Sequence, residues 1–156
     1  MRALADVAGD PFARTHWDPG HFTASSFVLS PERDAVLLIL HGKLGRWLQP
    51  GGHVDPDDVD IVAAARREVA EEVSLTGLPF LGRPEVFDVD VHTIPSLGGS
   101  PAHAHFDVRF AFVAADRDAV AGSDALDVQW VALDAIHTVQ TDESVLRAVR
   151  KLRARA

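Results

Sequence analysis

The sequence predicts an α/β fold, a mixed sheet with helices packed on its faces. Three observations lead there. Short apolar runs of strand character lie on both sides of one alanine-rich helical stretch in mid-chain. Turn signals that mark hairpins flank that stretch, so strands and helix alternate irregularly. The chain closes on an amphipathic segment whose Val145, Leu146, Val149 and Leu152 share one face.

Residues 1–20 read as an N-terminal extension. Leu4, Val7 and Ala8 can line one side of a short helix before Asp10-Pro11 ends it. Residues 21–30 and 35–40 have strand composition. Pro31-Glu32-Arg33-Asp34 between them is turn chemistry and predicts a hairpin. Residues 46–49 give a short strand, stopped by Pro50-Gly51-Gly52. A helix follows over 61–73, free of Gly and Pro, with Asp57 or Asp58 as its cap. Residues 85–93 and 104–113 alternate by residue type, the period of a strand. Between them Gly98-Gly99 can return the chain antiparallel. Residues 128–133 form the last strand. Thr141 or Asp142 caps the final helix. Acids in its first turn and Arg150, Lys151, Arg153 and Arg155 near its end complement the helix dipole.

With 156 residues, 47% of them hydrophobic, the chain suits a single domain over 1–156 with a real core. The longest apolar runs, 35–40 and 110–115, are far short of the roughly 20 residues that span a membrane. No secretory signal opens the sequence, and no cysteine is present, so disulfides and thiolate chemistry are excluded. A reducing cytoplasm is the expected location. The net charge of −8 disfavours nucleic-acid polymers as partners. It is compatible with small phosphate compounds when a divalent cation mediates.

The chemistry concentrates on the mid-chain helix. Successive residues turn by about 100°, which places Glu71 about 60° to one side of Glu68 and Glu72 about 40° to the other. All three carboxylates share a face, and Val62, Ala65, Val69 and Val73 occupy the adjoining one. Like charges at these spacings destabilise a helix, so a compensating cation is expected. Arg67 is one candidate. A hard divalent ion is a stronger one, because clustered carboxylates suit Mg²⁺ or Mn²⁺. Gly51-Gly52, a short loop ahead, lets backbone approach such a site closely.

Residues 52–75, GHVDPDDVDIVAAARREVAEEVSL, resemble the Nudix box, G-x5-E-x7-R-E-U-x-E-E-x-G-U with U apolar. Gly52, Arg67-Glu68-Val69, Glu71-Glu72 and Leu75 match. Asp58 stands where the first Glu belongs, eight residues rather than seven separate it from Arg67, and Ser74 replaces the last glycine. Residues 128–133, VQWVAL, are similar to a late strand of many Nudix domains, so the resemblance runs from about His21 to the C-terminus.

The resemblance implies an α/β/α sandwich and a metal-dependent hydrolase. Such enzymes cleave a diphosphate linkage in a nucleoside diphosphate derivative by attack of water. It implies Gly51 (through its carbonyl), Glu68, Glu71 and Glu72 as ligands of Mg²⁺ or Mn²⁺, with Arg67 orienting a carboxylate. Glu71 is either a third ligand or the residue that positions water. Glu68 is the expected general base within the box; Asp90 and Glu143 are candidates outside it. The resemblance also implies a small-molecule substrate and the homodimer common in the family. The altered box leaves a nucleotide-binding domain without turnover as the alternative. Isomerase chemistry on this fold uses a cysteine, which this chain lacks.

A second polar set lies on the later strands. Asp88, Asp90 and His92 share one face, as do His103, His105, Asp107 and Arg109; their alternates are apolar. Paired strands would set these rows side by side. Two readings stand: a sheet face open to solvent, and a wall that contacts substrate through Asp90, His92, His103 and His105. His with Asp at i,i+2 is common on strands and does not by itself specify an added metal site. Lys43 and Arg46 are candidates for phosphate contact, Trp17 and Phe22 for stacking, and Trp47 and Trp130 for the core.

Overall fold

A computed structural model describes residues 8–122 and 125–155. Its strands are β1 (Gly20–Leu29), β2 (Ala35–His41), β3 (Arg46–Leu48), β4 (Gly51–His53), β5 (Asp88–Ile94), β6 (His103–Val113) and β7 (Ala125–Ala132). Its α-helices are α1 (Ile61–Val73) and α2 (Glu143–Arg153), the latter preceded by a 3₁₀ turn at Ile136–Thr138. The helix expected around Leu4 and Val7 lies outside the described residues.

All seven strands join one sheet in the order β3-β2-β1-β6-β5, with β4 also on β1 and β7 on β2. The β1–β6 pair is parallel, from Gly20 opposite Ala104 to Leu29 opposite Val113. The other pairs are antiparallel, so the sheet is mixed as the sequence predicts. β1 is buried along nearly its whole length because both of its faces are covered. On one face Ala24, Val28, Val108, Phe110 and Phe112 pack against Ala64, Ala65, Val69 and Val73 of α1. On the other, Phe27, Leu29, Val36, Leu38 and Ala111 pack against Val145, Ala148, Val149 and Leu152 of α2. Each fully buried aliphatic side chain contributes about 1.5–3 kcal/mol. A helix on each face of a mixed sheet is the α/β/α sandwich. No helix among the described residues is long and apolar enough to cross a membrane.

Several expectations are corrected. α1 is capped by Asp60, whose Oδ1 accepts from the Ala63 N–H at 2.7 Å. Asp57 and Asp58 do not serve, and the Asp58 carboxylate is engaged by Arg67 instead. β3 ends at Leu48, ahead of Pro50 as expected, but the glycines also start a new strand: residues 51–53 form β4, which pairs with Thr23, Ala24 and Ser25 of β1. Glycine has little strand propensity, and here pairing overrides it. β5 starts at Asp88 rather than residue 85. Trp47 and Trp130 are only partly buried, at the margins of the two cores. Of the two proposed caps of the last helix, Asp142 caps it, while Thr141 donates to the Trp47 carbonyl at 2.6 Å.

Candidate active site

Arg67 organises the acidic face of α1. Its Nη1 donates to Glu68 Oε1 and to Glu71 Oε2, both at 3.0 Å. Its Nε and Nη2 form a fork on Asp58, at 3.1 and 3.0 Å to the nearer oxygens, and Nη2 also reaches the His53 carbonyl at 2.9 Å. The shorter aspartate and the extra residue in the loop therefore offset each other: Asp58 still meets the arginine. That hydrogen bond holds the Asp58 carboxyl below the usual carboxylate range. Asp58, ahead of Glu68, raises Arg67 above its ordinary value. The charge-assisted bonds hold three carboxylates in one small region, which a helix alone would not tolerate.

β4 closes the other side. Glu68 lies against Gly52: a Cβ there would come within 2.6 Å of Glu68 Oε1. The Gly51 N–H donates to Glu72 Oε2 at 2.9 Å, and a Cβ at Gly51 would sit 2.2 Å from that of Ser25. Both glycines are thus required by close approach, one to a carboxylate and one to strand β1. Glu72 is buried, and Glu71 is the most exposed of the three acids. Burial pushes the Glu68 carboxyl up, and Arg67 pulls it only partly back. The all-oxygen donor set, half-buried and fitted to a side-chain-free backbone, suits a hard divalent cation. Ser74 adopts the glycine-like conformation, φ 61° and ψ 19°, and its N–H donates to the Ala70 carbonyl at 3.1 Å, so the helix ends as it would with glycine.

The two polar rows meet as predicted. β5 pairs antiparallel with β6, setting His92 opposite His105, Asp90 opposite Asp107 and Asp88 opposite Arg109. One end of this face is not wet. Arg109 is 2% exposed and donates to Asp107 at 2.7 Å and to the Ser144 hydroxyl of α2 at 2.9 Å. Asp107 also accepts from Thr23 and Ser25. Arg147 of α2 binds Asp88 at 2.8 Å and Asp90 at 3.1 Å, and Lys151 binds Asp88. Burial pushes Asp88 up, but Arg147 and Lys151 outweigh it and hold the carboxyl low. Conversely, Val89 and Val91, the apolar alternates of β5, are exposed.

The other end of the face gathers imidazoles. The β1–β6 register places His21 opposite His105, and β4 brings His53 opposite Thr23. Ring centroids lie 4.7 Å apart for His21–His105, 5.0 Å for His21–His103 and 5.1 Å for His21–His53. His92 adds a fifth ring, 5.4 Å from His105. Burial, then mutual repulsion, lowers His105 to about 3; burial, then Arg14 and neighbouring imidazoles, lowers His53 to about 4. His21 is lowered as well, mainly by burial. Residue alternation puts this cluster on the α2 side of the sheet and the Glu68–Gly52 contact on the α1 side. β4 touches both, through Gly52 and His53.

Of the sequence-predicted residues, the structure brings together Gly51, Arg67, Glu68, Glu71 and Glu72, and separately His92, His103 and His105. Asp90 joins the Arg109–Arg147 network. Arg46 is an exposed residue of β3 opposite His41, on another strand pair, and Lys43 is exposed in the turn before it. Glu143 is an exposed partner of Arg150 on α2. Trp17 packs against His103, and Phe22 packs between Phe12 and Phe106. His21 and His53 escaped the sequence reading. Their only signals were alternation with Thr23 and Ser25, and adjacency to Gly51-Gly52.

The chain is similar to known proteins. The family model described as NUDIX domain matches residues 20–151. A NUDIX-family hydrolase from Clostridium perfringens is 25% identical, with a TM-score of 0.63 over 86% of this chain and 97% of its own. The Ap4A hydrolase of C. elegans is 20% identical, TM-score 0.63, over 85% and 95% of the two chains. A bifunctional NMN adenylyltransferase/ADP-ribose pyrophosphatase from Francisella tularensis, complexed with AMP and a Mn ion, is 20% identical, TM-score 0.60. That match covers 98% of this chain and 44% of the other. No curated protein sequence matches the chain.

Proposed function

The chain belongs to the Nudix family, and from that premise we propose that it is a pyrophosphohydrolase, cleaving a diphosphate linkage in a nucleoside diphosphate derivative with a divalent cation. One observation carries the reading: Arg67 holds Glu68 and Glu71 while the Gly51 N–H holds Glu72, so the box acids converge despite the altered box.

Glu68, Glu72 and the Gly51 carbonyl would hold Mg²⁺ or Mn²⁺. When bound, the cation neutralises diphosphate charge and lowers the pKa of its water. Glu68 accepts the proton of the attacking water. Glu71, more exposed and fixed by Arg67, positions that water. A new phosphorus–oxygen bond forms as the bridging phosphoanhydride bond breaks, and the displaced phosphate leaves with the electron pair. Arg67 keeps both carboxylates oriented through the step. Relatives whose names carry Ap4A and ADP-ribose support a nucleotide-derived small molecule as the substrate class.

The test is a panel of ADP-ribose, dinucleoside polyphosphates, nucleotide sugars and nucleoside triphosphates, each with Mg²⁺, Mn²⁺ or chelator. The reading expects metal-dependent cleavage of at least one class. Nucleotide binding, seen as a raised melting temperature, without turnover across the panel would overturn it.

A further inference from the structure

We propose that His21, His103 and His105 form a second metal site, for a borderline divalent cation of the zinc class, on the sheet face opposite α1. Their ligand nitrogens all lie within 4.8 Å of one another. A triangle of that size has its centre about 2.8 Å from each corner, so inward movements of about 0.7 Å reach the roughly 2.0–2.1 Å of a zinc–imidazole bond. The scaffold is rigid: His103 and His105 stand at i,i+2 on β6, and His21 is set opposite His105 by the parallel ladder.

The hydrogen bonds point the same way. His21 Nδ1 lies 3.2 Å from the His16 carbonyl, and His103 Nδ1 lies 2.8 Å from the Pro101 carbonyl. A carbonyl only accepts, so both Nδ1 atoms carry the proton and both Nε2 atoms present a lone pair. This is the outer-shell arrangement that orients metal-bound histidines. His21 is fully buried, and its Nε2 has no hydrogen-bond partner. Coordination would satisfy that atom. Trp17, with its ring 4.8 Å from that of His103, packs against one side of the cluster. His53 and His92 flank His105 and are the nearest further donors for a fourth position.

An all-imidazole set selects zinc, nickel, cobalt or copper over magnesium, which prefers oxygen. The chain therefore sorts hard and borderline cations onto opposite faces of one sheet. This site stands apart from the hydrolase reading, and its test does not depend on turnover.

The test uses the full chain, stripped with chelator and desalted, and titrated with Zn²⁺ and with Co²⁺ as a chromophore. The proposal expects one equivalent of tightly held Zn²⁺, and visible Co²⁺ d–d absorption, both retained in Glu68→Gln/Glu72→Gln. It expects His103→Asn and the half-buried His105→Asn each to weaken Zn²⁺ at least tenfold, outer-shell changes alone costing about 10–100-fold. Far-UV circular dichroism in chelator identifies which variant is folded and can be read. Zn²⁺ binding that survives both histidine substitutions, disappears with the glutamates, or is absent from the wild-type chain overturns the proposal.

Discussion

Gly52→Ala separates the chemistry of this protein from its stability. The new Cβ would lie 2.6–2.8 Å from the three atoms of the Glu68 carboxyl group, whereas ordinary contact begins near 3.4 Å. The carboxylate must retreat by about 0.8 Å, and its 3.0 Å bond from Arg67 must stretch or rotate with it. Displacements near 1 Å in a positioned group cost on the order of 10² in rate. The clash falls on the end of a flexible side chain, and Gly52 does not require a left-handed backbone, so the fold absorbs it. Gly51→Ala is the control. Its Cβ would meet Ser25 Cβ at 2.2 Å, Ser25 Cα at 2.6 Å and the Ala24 carbonyl at 2.7 Å, all on the neighbouring strand. Overpacking of that kind costs about 1–3 kcal/mol, or roughly 3–10 °C for a chain of this size. The assay is kcat at saturating metal beside a thermal melt. Gly52→Ala is expected to lose about 10² in kcat with its melting temperature within a few degrees. Full kcat in that variant, or a melting loss equal to that of Gly51→Ala, would show that Gly52 does not position the Glu68 carboxylate.

Ser74→Gly relieves a left-handed residue that costs about 1–2 kcal/mol, part of it offset by the greater freedom of glycine in the unfolded chain. The net expectation is a gain of about 0.5–1 kcal/mol, read as a higher urea midpoint at unchanged slope; a lower midpoint contradicts it. Asp58→Ala frees the Arg67 fork and should lower stability by about 1–2 kcal/mol and kcat/KM by about tenfold. Equal kcat/KM in the variant would show that Arg67 needs no anchor. Acid should unfold the metal-free protein early. His53 and His105 fall to about 4 and about 3 when folded, facing His21, His92, His103 and Arg14, with Asp55 opposing at His53. The unfolded chain, titrating near 6.5, binds more protons between those limits, so stability is complete above about pH 6.5 and falls as the pH drops. From pH 6 to 5 both groups therefore act in the same, destabilising direction. Urea midpoints in chelator that are flat over this range would count against neutral buried imidazoles.

The acidic centre was legible because its residues follow one another along a helix, where spacing alone fixes the face. The bounds of α1 follow from composition for the same reason. Its cap did not, since Asp57, Asp58 and Asp60 are equivalent locally and only the tertiary demand of Arg67 on Asp58 leaves Asp60 to the helix. β4 was hidden because Gly51-Gly52 has no strand signature until β1 pairs with it. Alternation on β5 gave the period but not which side faces inward: Asp88 is buried against α2 cations while Val89 and Val91 face out. The imidazole cluster was half visible. His103 and His105 share a strand face by period, whereas His21 arrives through the β1–β6 pairing, which joins residues 84 apart at Thr23 and Asp107. No local pattern reports such a register.

We propose metal-dependent diphosphate cleavage by the carboxylates of α1. Glu72→Gln tests it most directly, because the amide oxygen can still accept from Gly51 N–H while one negative charge is removed. On the best substrate of the panel, metal-dependent kcat is expected to fall by about 10²–10³, with the melting temperature little changed. Turnover within a few-fold of wild type, or turnover that persists in chelator, would contradict it.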